Sequence, residues 1–77
     1  MTQHTDEGVL VSSVRLPNSF NGNPRYTLTL DNGNSYDTKA DGFIGYQLQN
    51  YKYEGCTVRL LIERQNRNFV VWDISVI

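Results

Sequence analysis

A chain of 77 residues with 39% hydrophobic content and nine aromatics (five Tyr, three Phe, one Trp) is sufficient for one small domain and too apolar for a disordered segment. Its one cysteine, Cys56, excludes an intrachain disulfide, and seven Lys/Arg against eight Asp/Glu exclude the strongly basic surface that duplex DNA demands. The first residues, MTQHTDE, carry no apolar run of the signal-peptide kind, and no stretch approaches a membrane span. The expected setting is therefore a reducing cytoplasm, with no membrane partner.

Residues 1–7 lack periodicity and are expected to form a flexible N-terminal arm ahead of a single barrel domain over residues 8–77. His4 lies in that arm, without the second His or paired Cys that a metal site needs. The first strand is predicted over Gly8 to Leu16. Val9 and Val11 share one parity there and Val14 and Leu16 the other, so a β-bulge across Ser12-Ser13 would return both pairs to one side. The loop PNSFNGNP follows, with Phe20 isolated within it.

Tyr26, Leu28 and Leu30 alternate with Thr27, Thr29 and Asp31, the period of a half-buried strand. Asn32-Gly33 then suits the two positive φ angles of a type I′ hairpin turn, and Ser35 to Ala40 returns as the third strand. Asp41 is placed to cap a short helix over Gly42 to Asn50, with Ile44, Leu48 and Tyr51 as its apolar stripe. Gly42 and Gly45 weaken that helix by about 1 kcal/mol each relative to alanine. Two strands complete the chain. Thr57 to Glu63 turns Val58, Leu60 and Ile62 to one face, and Phe69 to Ile77 does the same with Val70, Trp72, Ile74 and Val76. A polar, basic loop, Arg64 to Asn68, joins them. This assignment puts Trp72 in the core, where Trp72→Ala would cost about 3–5 kcal/mol and unfold so small a domain.

Three strands, a helix and two strands make a mainly β fold, a small five-stranded barrel in the OB-like order. An SH3-like barrel is the alternative, and a helix between the third and fourth strands favours the OB-like one. No phosphate-binding glycine loop is present. The segment from Asp37 fails as a calcium loop, because Lys39 takes a ligand position and Leu48 stands where a bidentate Glu is required. Cys56 has no histidine in the predicted barrel to activate it and reads as a small packing residue. Neither catalytic residues nor a cofactor or metal are expected. What the sequence offers is a binding face: Arg15, Phe20 and Arg25 around the first loop, Tyr36 on the third strand, and Arg64 and Arg67 around the last. Aromatics beside arginines can stack single-stranded bases and hold their backbone. Near-neutral charge, asparagine-rich loops and surplus tyrosines suit a protein partner, including a second copy in a homodimer, somewhat better.

The run Gly22 to Tyr26, GNPRY, followed by Asp31 to Gly33 and by Thr38, resembles small actinobacterial-phage proteins without assigned function, over about a third of the chain. The resemblance implies an accessory protein at work in the cytoplasm of a bacterial host, on nucleic acid or on a host protein. It marks Pro24, Arg25 and Tyr26 and implies no catalytic residues.

Overall fold

Backbone pairing in the computed structural model, which describes residues 3–77, joins β1 (Gln3–Leu16), β2 (Arg25–Leu30), β3 (Ser35–Thr38), β4 (Thr57–Gln65) and β5 (Asn68–Val76), with α1 (Ile44–Asn50) between β3 and β4. The hydrogen-bonded order is β1-β2-β3-β5-β4, and β4 pairs back onto β1 to close the barrel. β3 and β5 run parallel, a pairing that needs a long crossover, and the segment carrying α1 lies within it. This is the OB-like arrangement expected from the element order. Ten apolar side chains fill the interior: Leu10, Leu28, Leu30, Ile44, Leu48, Val58, Leu60, Ile62, Val71 and Ile74. Each stabilises the fold by roughly 1.5–3 kcal/mol before the entropy of ordering the chain is subtracted.

β1 serves two neighbours. Its first half, Gln3 to Val9, pairs with β4, and its second half, from Leu10 to Leu16, pairs with β2. The expected flexible arm is thereby corrected over residues 3–7, while residues 1 and 2 lie outside the described chain. A ladder is made by backbone groups, so a polar stretch with no hydrophobic alternation can still be a strand when a partner edge is waiting. The expected bulge is present but sits at Val11, between the pairs Leu10–Leu30 and Ser12–Thr29. It sends Leu10 inward and leaves Val11 and Val14 exposed, in place of the Val9/Val11 and Val14/Leu16 faces expected.

The β2–β3 turn is a three-residue loop, Asp31 to Gly33, and not a two-residue type I′ turn. Leu30 N–H donates to Asn34 O at 2.9 Å and Gly33 N–H to Leu30 O at 3.0 Å. Gly33 alone in this loop takes the left-handed φ, at 90°. Asn32 instead uses its side chain, whose Oδ1 accepts from Asn34 N–H at 2.9 Å. At the other hairpin the loop shrinks to Asn66 and Arg67, because Gln65 pairs with Asn68.

β5 carries the larger correction. Leu61 pairs with Asp73 and Ile62 with Val71, so Trp72 is an extra residue bulged out of the ladder. One inserted residue reverses side-chain parity. Val71 and Ile74 are the inward residues, Val70 is half-buried, and Trp72 and Val76 face outward. Trp72 is 38% exposed and is no core residue.

α1 is shorter than expected. Phe43 occupies the N-cap with no side-chain hydrogen bond, so Asp41 does not cap it; the Asp41 carboxylate lies 3.9 Å from Lys39 Nζ instead. Ile44, Gly45 and Leu48 are buried, and Tyr51 is exposed and outside the stripe. Gly45 is a packing device. A Cβ there would fall 1.8 Å from the carbonyl oxygen of Pro24, so the glycine is what lets the helix rest on the entrance of β2.

Candidate functional site

β3 has four residues and pairs with β5 at two positions, Asp37–Val70 and Thr38–Val71. Beyond each end of this short seam the two strands part, and a groove opens on either side. The two grooves have similar volumes and different chemistry.

The first, about 360 Å³, lies towards the β4–β5 turn and is lined by Arg25, Ser35, Tyr36, Asp37, Asn68, Phe69 and Val70. Two of the six residues singled out from sequence, Arg25 and Tyr36, therefore share one site. Arg25 enters β2 directly after buried Pro24; its guanidinium sits 3.9 Å from Asp37 and its Nε has no hydrogen-bond partner. Arg15, at the end of β1, is held near Arg25 without lining the groove. Its guanidinium lies over the Tyr26 ring, 5.4 Å from the centroid, and donates to Asn18 Oδ1 and Arg25 O. Arg64 stands opposite Phe69 in the β4–β5 register, and Arg67 occupies the adjoining turn. Phe69 is half-exposed, with the His4 ring against it edge-on at 5.4 Å. Phe20 is fully exposed on its loop and lines none of the described grooves.

Tyr36 has a second commitment. Its hydroxyl donates to Asp6 Oδ2 at 2.6 Å, and Asp6 also accepts from Asn34 Nδ2 at 2.8 Å and Asn32 Nδ2 at 3.0 Å. This cluster ties the first half of β1 to the β2–β3 turn. Burial pushes the Asp6 carboxyl up, but the hydrogen bonds from Tyr36, Asn34, Asn32 and the Glu7 backbone outweigh it and hold the group below its ordinary value. The Tyr36 phenol is pushed up to about 12, first by burial and then by its bond to Asp6 and the charge there. With its proton committed to Asp6, Tyr36 offers the groove its ring and an acceptor oxygen, but no donor.

The second groove, about 380 Å³, lies on the far side of the seam, between the β3–α1 connection and β5. Phe43, 87% exposed, and Trp72 are the aromatic members of its lining, with Lys39, Asp41, Gln47 and Asp73 as its polar ones. Lys39 organises it. Its ammonium lies over the Trp72 ring at 5.2 Å from the centroid, 3.9 Å from Asp41 and 3.8 Å from Glu63, a carboxylate only 4% exposed behind the groove. Gln47 Nε2 donates to Ile74 O at 3.2 Å and to Tyr53 Oη at 2.8 Å, which fixes the helix against β5. Sequence reading placed no site here, because period-two alternation put Trp72 inside. The available signal was Asp73, whose charge interrupts an otherwise apolar run at the point where parity changes.

Among the described residues, no three His, Cys, Asp or Glu side chains are grouped to hold a metal ion, and no helix is long and apolar enough to cross a membrane. Cys56 is a half-buried free thiol packed against the core. No family model, no curated protein and no solved structure matches this chain.

Proposed function

We propose that this barrel is a non-enzymatic protein-interaction module that docks a host-protein partner through the groove of Phe43 and Trp72. The observation that carries the reading is one cavity lined by two exposed aromatic side chains on a fixed backbone. Large aromatics held in the open desolvate well on contact and dominate interface energetics, and a pre-ordered groove spares the partner an ordering cost. The resemblance of GNPRY to small phage proteins fits an accessory role of this kind in a bacterial cytoplasm. The residues of that run also have structural work: Asn23 Nδ2 donates to Ala40 O at 3.0 Å, Pro24 lies under Gly45, and Tyr26 N–H donates to Thr38 Oγ1 at 3.1 Å.

The test is capture from bacterial extract on the immobilised full chain, at moderate and high salt, alongside a Phe43→Ser, Trp72→Ser variant. A protein retained by the wild type at both salts and lost by the variant supports the reading. A capture profile identical for the two chains sinks it.

Single-stranded nucleic acid is the second reading, and one observation favours it. Arg25 lines the other groove with Asp37 and the Phe69 and Tyr36 rings, Arg15 is bonded to the Arg25 carbonyl, and Arg64 pairs across the ladder from Phe69 with Arg67 in the adjoining turn. Fluorescence anisotropy with labelled single-stranded oligonucleotides tests this. Binding that weakens steeply with salt and disappears when Arg25, Arg64 and Arg67 are replaced supports it.

A further inference from the structure

The charge pattern of the aromatic groove selects what it docks. We propose that it receives an arginine- or lysine-bearing segment of the partner protein, with apolar residues beside the cation. The inference rests on the docking reading above and specifies its ligand.

Lys39 is the one basic residue in the lining, and its charge is already spent. Its ammonium faces Asp41, Glu63 and the Trp72 ring at once. Asp41 keeps most of its carboxylate in solvent on the β3–α1 side, and Asp73 stands exposed on the β5 side. The lining sets Lys39 against Asp41 and Asp73, with Glu63 buried beside the lysine, and Arg59, which shares a neighbouring cleft with Asp73, is already paired with Glu7, so acid exceeds base around the groove. Phe43 offers a ring face to solvent with no cation over it among the described residues. A guanidinium or ammonium on an apolar stem satisfies both demands: its stem packs on Phe43 and Trp72 while its head meets Asp41 and Asp73. An anionic partner would meet repulsion from the same carboxylates, so the groove excludes nucleic acid as it admits a basic peptide. The arginine groove across the seam has the opposite preference, so the two sites do not compete for a ligand.

The test uses the full chain and three acetylated, amidated pentapeptides: Leu-Arg-Leu-Arg-Leu, and the same peptide with both arginines changed to glutamine or to glutamate. Trp72 is the chain's one tryptophan, so its fluorescence reports groove occupancy directly. The expected result is a saturable change with the arginine peptide and binding about tenfold weaker with the glutamine peptide. The Asp41→Asn, Asp73→Asn variant should lose the same factor while melting like the wild type. Asn at position 73 keeps an acceptor for the Ile74 N–H, which Asp73 Oδ1 now takes at 2.9 Å.

Glutamine and arginine peptides of equal affinity would overturn the charge assignment and leave the docking reading standing. No saturable signal from any peptide overturns the inference, and the capture experiment then decides the broader reading alone. A wild type that sediments as a dimer, with the double Asn variant a monomer, would make the occupant a second copy and also overturn it.

Discussion

The two grooves share a backbone seam and differ in almost everything else. Both open where β3 and β5 stop pairing, one before Asp37–Val70 and one after Thr38–Val71. On one side the walls are Arg25, Tyr36 and Phe69, with the β4–β5 turn of Arg67 beyond Phe69; on the other they are Phe43, Trp72, Asp41 and Asp73. A short parallel contact between otherwise antiparallel neighbours thus gives a small barrel two concave surfaces at little cost in core. Which ligand each one suits is decided by a handful of side chains outside the hydrophobic interior. Site and scaffold are separable here, and substitutions can test how far.

The largest effect is expected where they are least separable. Ile44 belongs both to the aromatic groove and to the core, and it is placed by the contact of Gly45 with Pro24. Gly45→Ala would gain helix propensity but drive a Cβ into the Pro24 carbonyl, and the overpacking should win, at about 3 kcal/mol. Urea unfolding measures this directly. The aromatic groove should lose its ligand even in the fraction that stays folded. An unchanged midpoint would mean that α1 can lift off Pro24 freely, and that the second groove is not rigid.

Trp72→Ala should be milder, at about 1–2 kcal/mol, because the side chain is outside the core and gives up partial burial and the Lys39 contact. The variant should keep a wild-type circular dichroism spectrum and lose groove binding. A loss of 3–5 kcal/mol would restore Trp72 to the core and remove the aromatic groove from the comparison. Smaller again is the joint replacement of Arg25, Arg64 and Arg67 by alanine. The Arg25–Asp37 pair is long and partly solvated, and Arg64 and Arg67 are exposed. Stability should move by less than about 1 kcal/mol, while any salt-sensitive oligonucleotide binding disappears.

What could be read from the chain and what could not divides along the same line. Element order and the barrel followed from alternation at Tyr26–Leu30 and Thr57–Ile62, where one face is buried and each residue's parity is enforced by the core. Reading failed where that enforcement lapses. Residues 3–7 are held by backbone pairing to β4 and by two carboxylates, Asp6 on the β2–β3 turn and Glu7 on Arg59, none of which leaves a hydrophobic period. The bulge at Trp72 is set by how β4 and β5 meet in three dimensions, and an uninterrupted alternation through Val70, Trp72 and Ile74 conceals it. The site inherited both errors. That Arg25 and Tyr36 lie at strand ends is visible in sequence, and both line one groove, whereas the aromatic groove depends on a parity change and on a helix seated by glycine. Phe20, conspicuous in sequence, lies apart from both grooves.

The smallest predicted effect concerns the one place where the arginine groove is braced by a titrating pair. The Tyr36 phenol rises from 10.0 to about 12 in the folded chain, so the folded state holds this proton where the unfolded state releases it. Its stabilisation is fully present below pH 10 and is lost as pH rises towards 12. Asp6 works in the opposite sense. Its carboxyl is lowered from 3.8, so its contribution is complete above that value and is lost as pH falls through the folded one. In Tyr36→Phe the alkaline dependence should vanish, and the stability gap between wild type and variant should narrow steadily between pH 10 and 12 in urea titrations. Asp6→Asn should flatten the acid limb in the same way. Neither change reaches the aromatic groove, so peptide binding there should not move at neutral pH. A gap that stays constant across the alkaline range would mean that the Tyr36–Asp6 bond does not hold β1 to the β2–β3 turn, and that residues 3–7 stay in the barrel through their pairing with β4 alone.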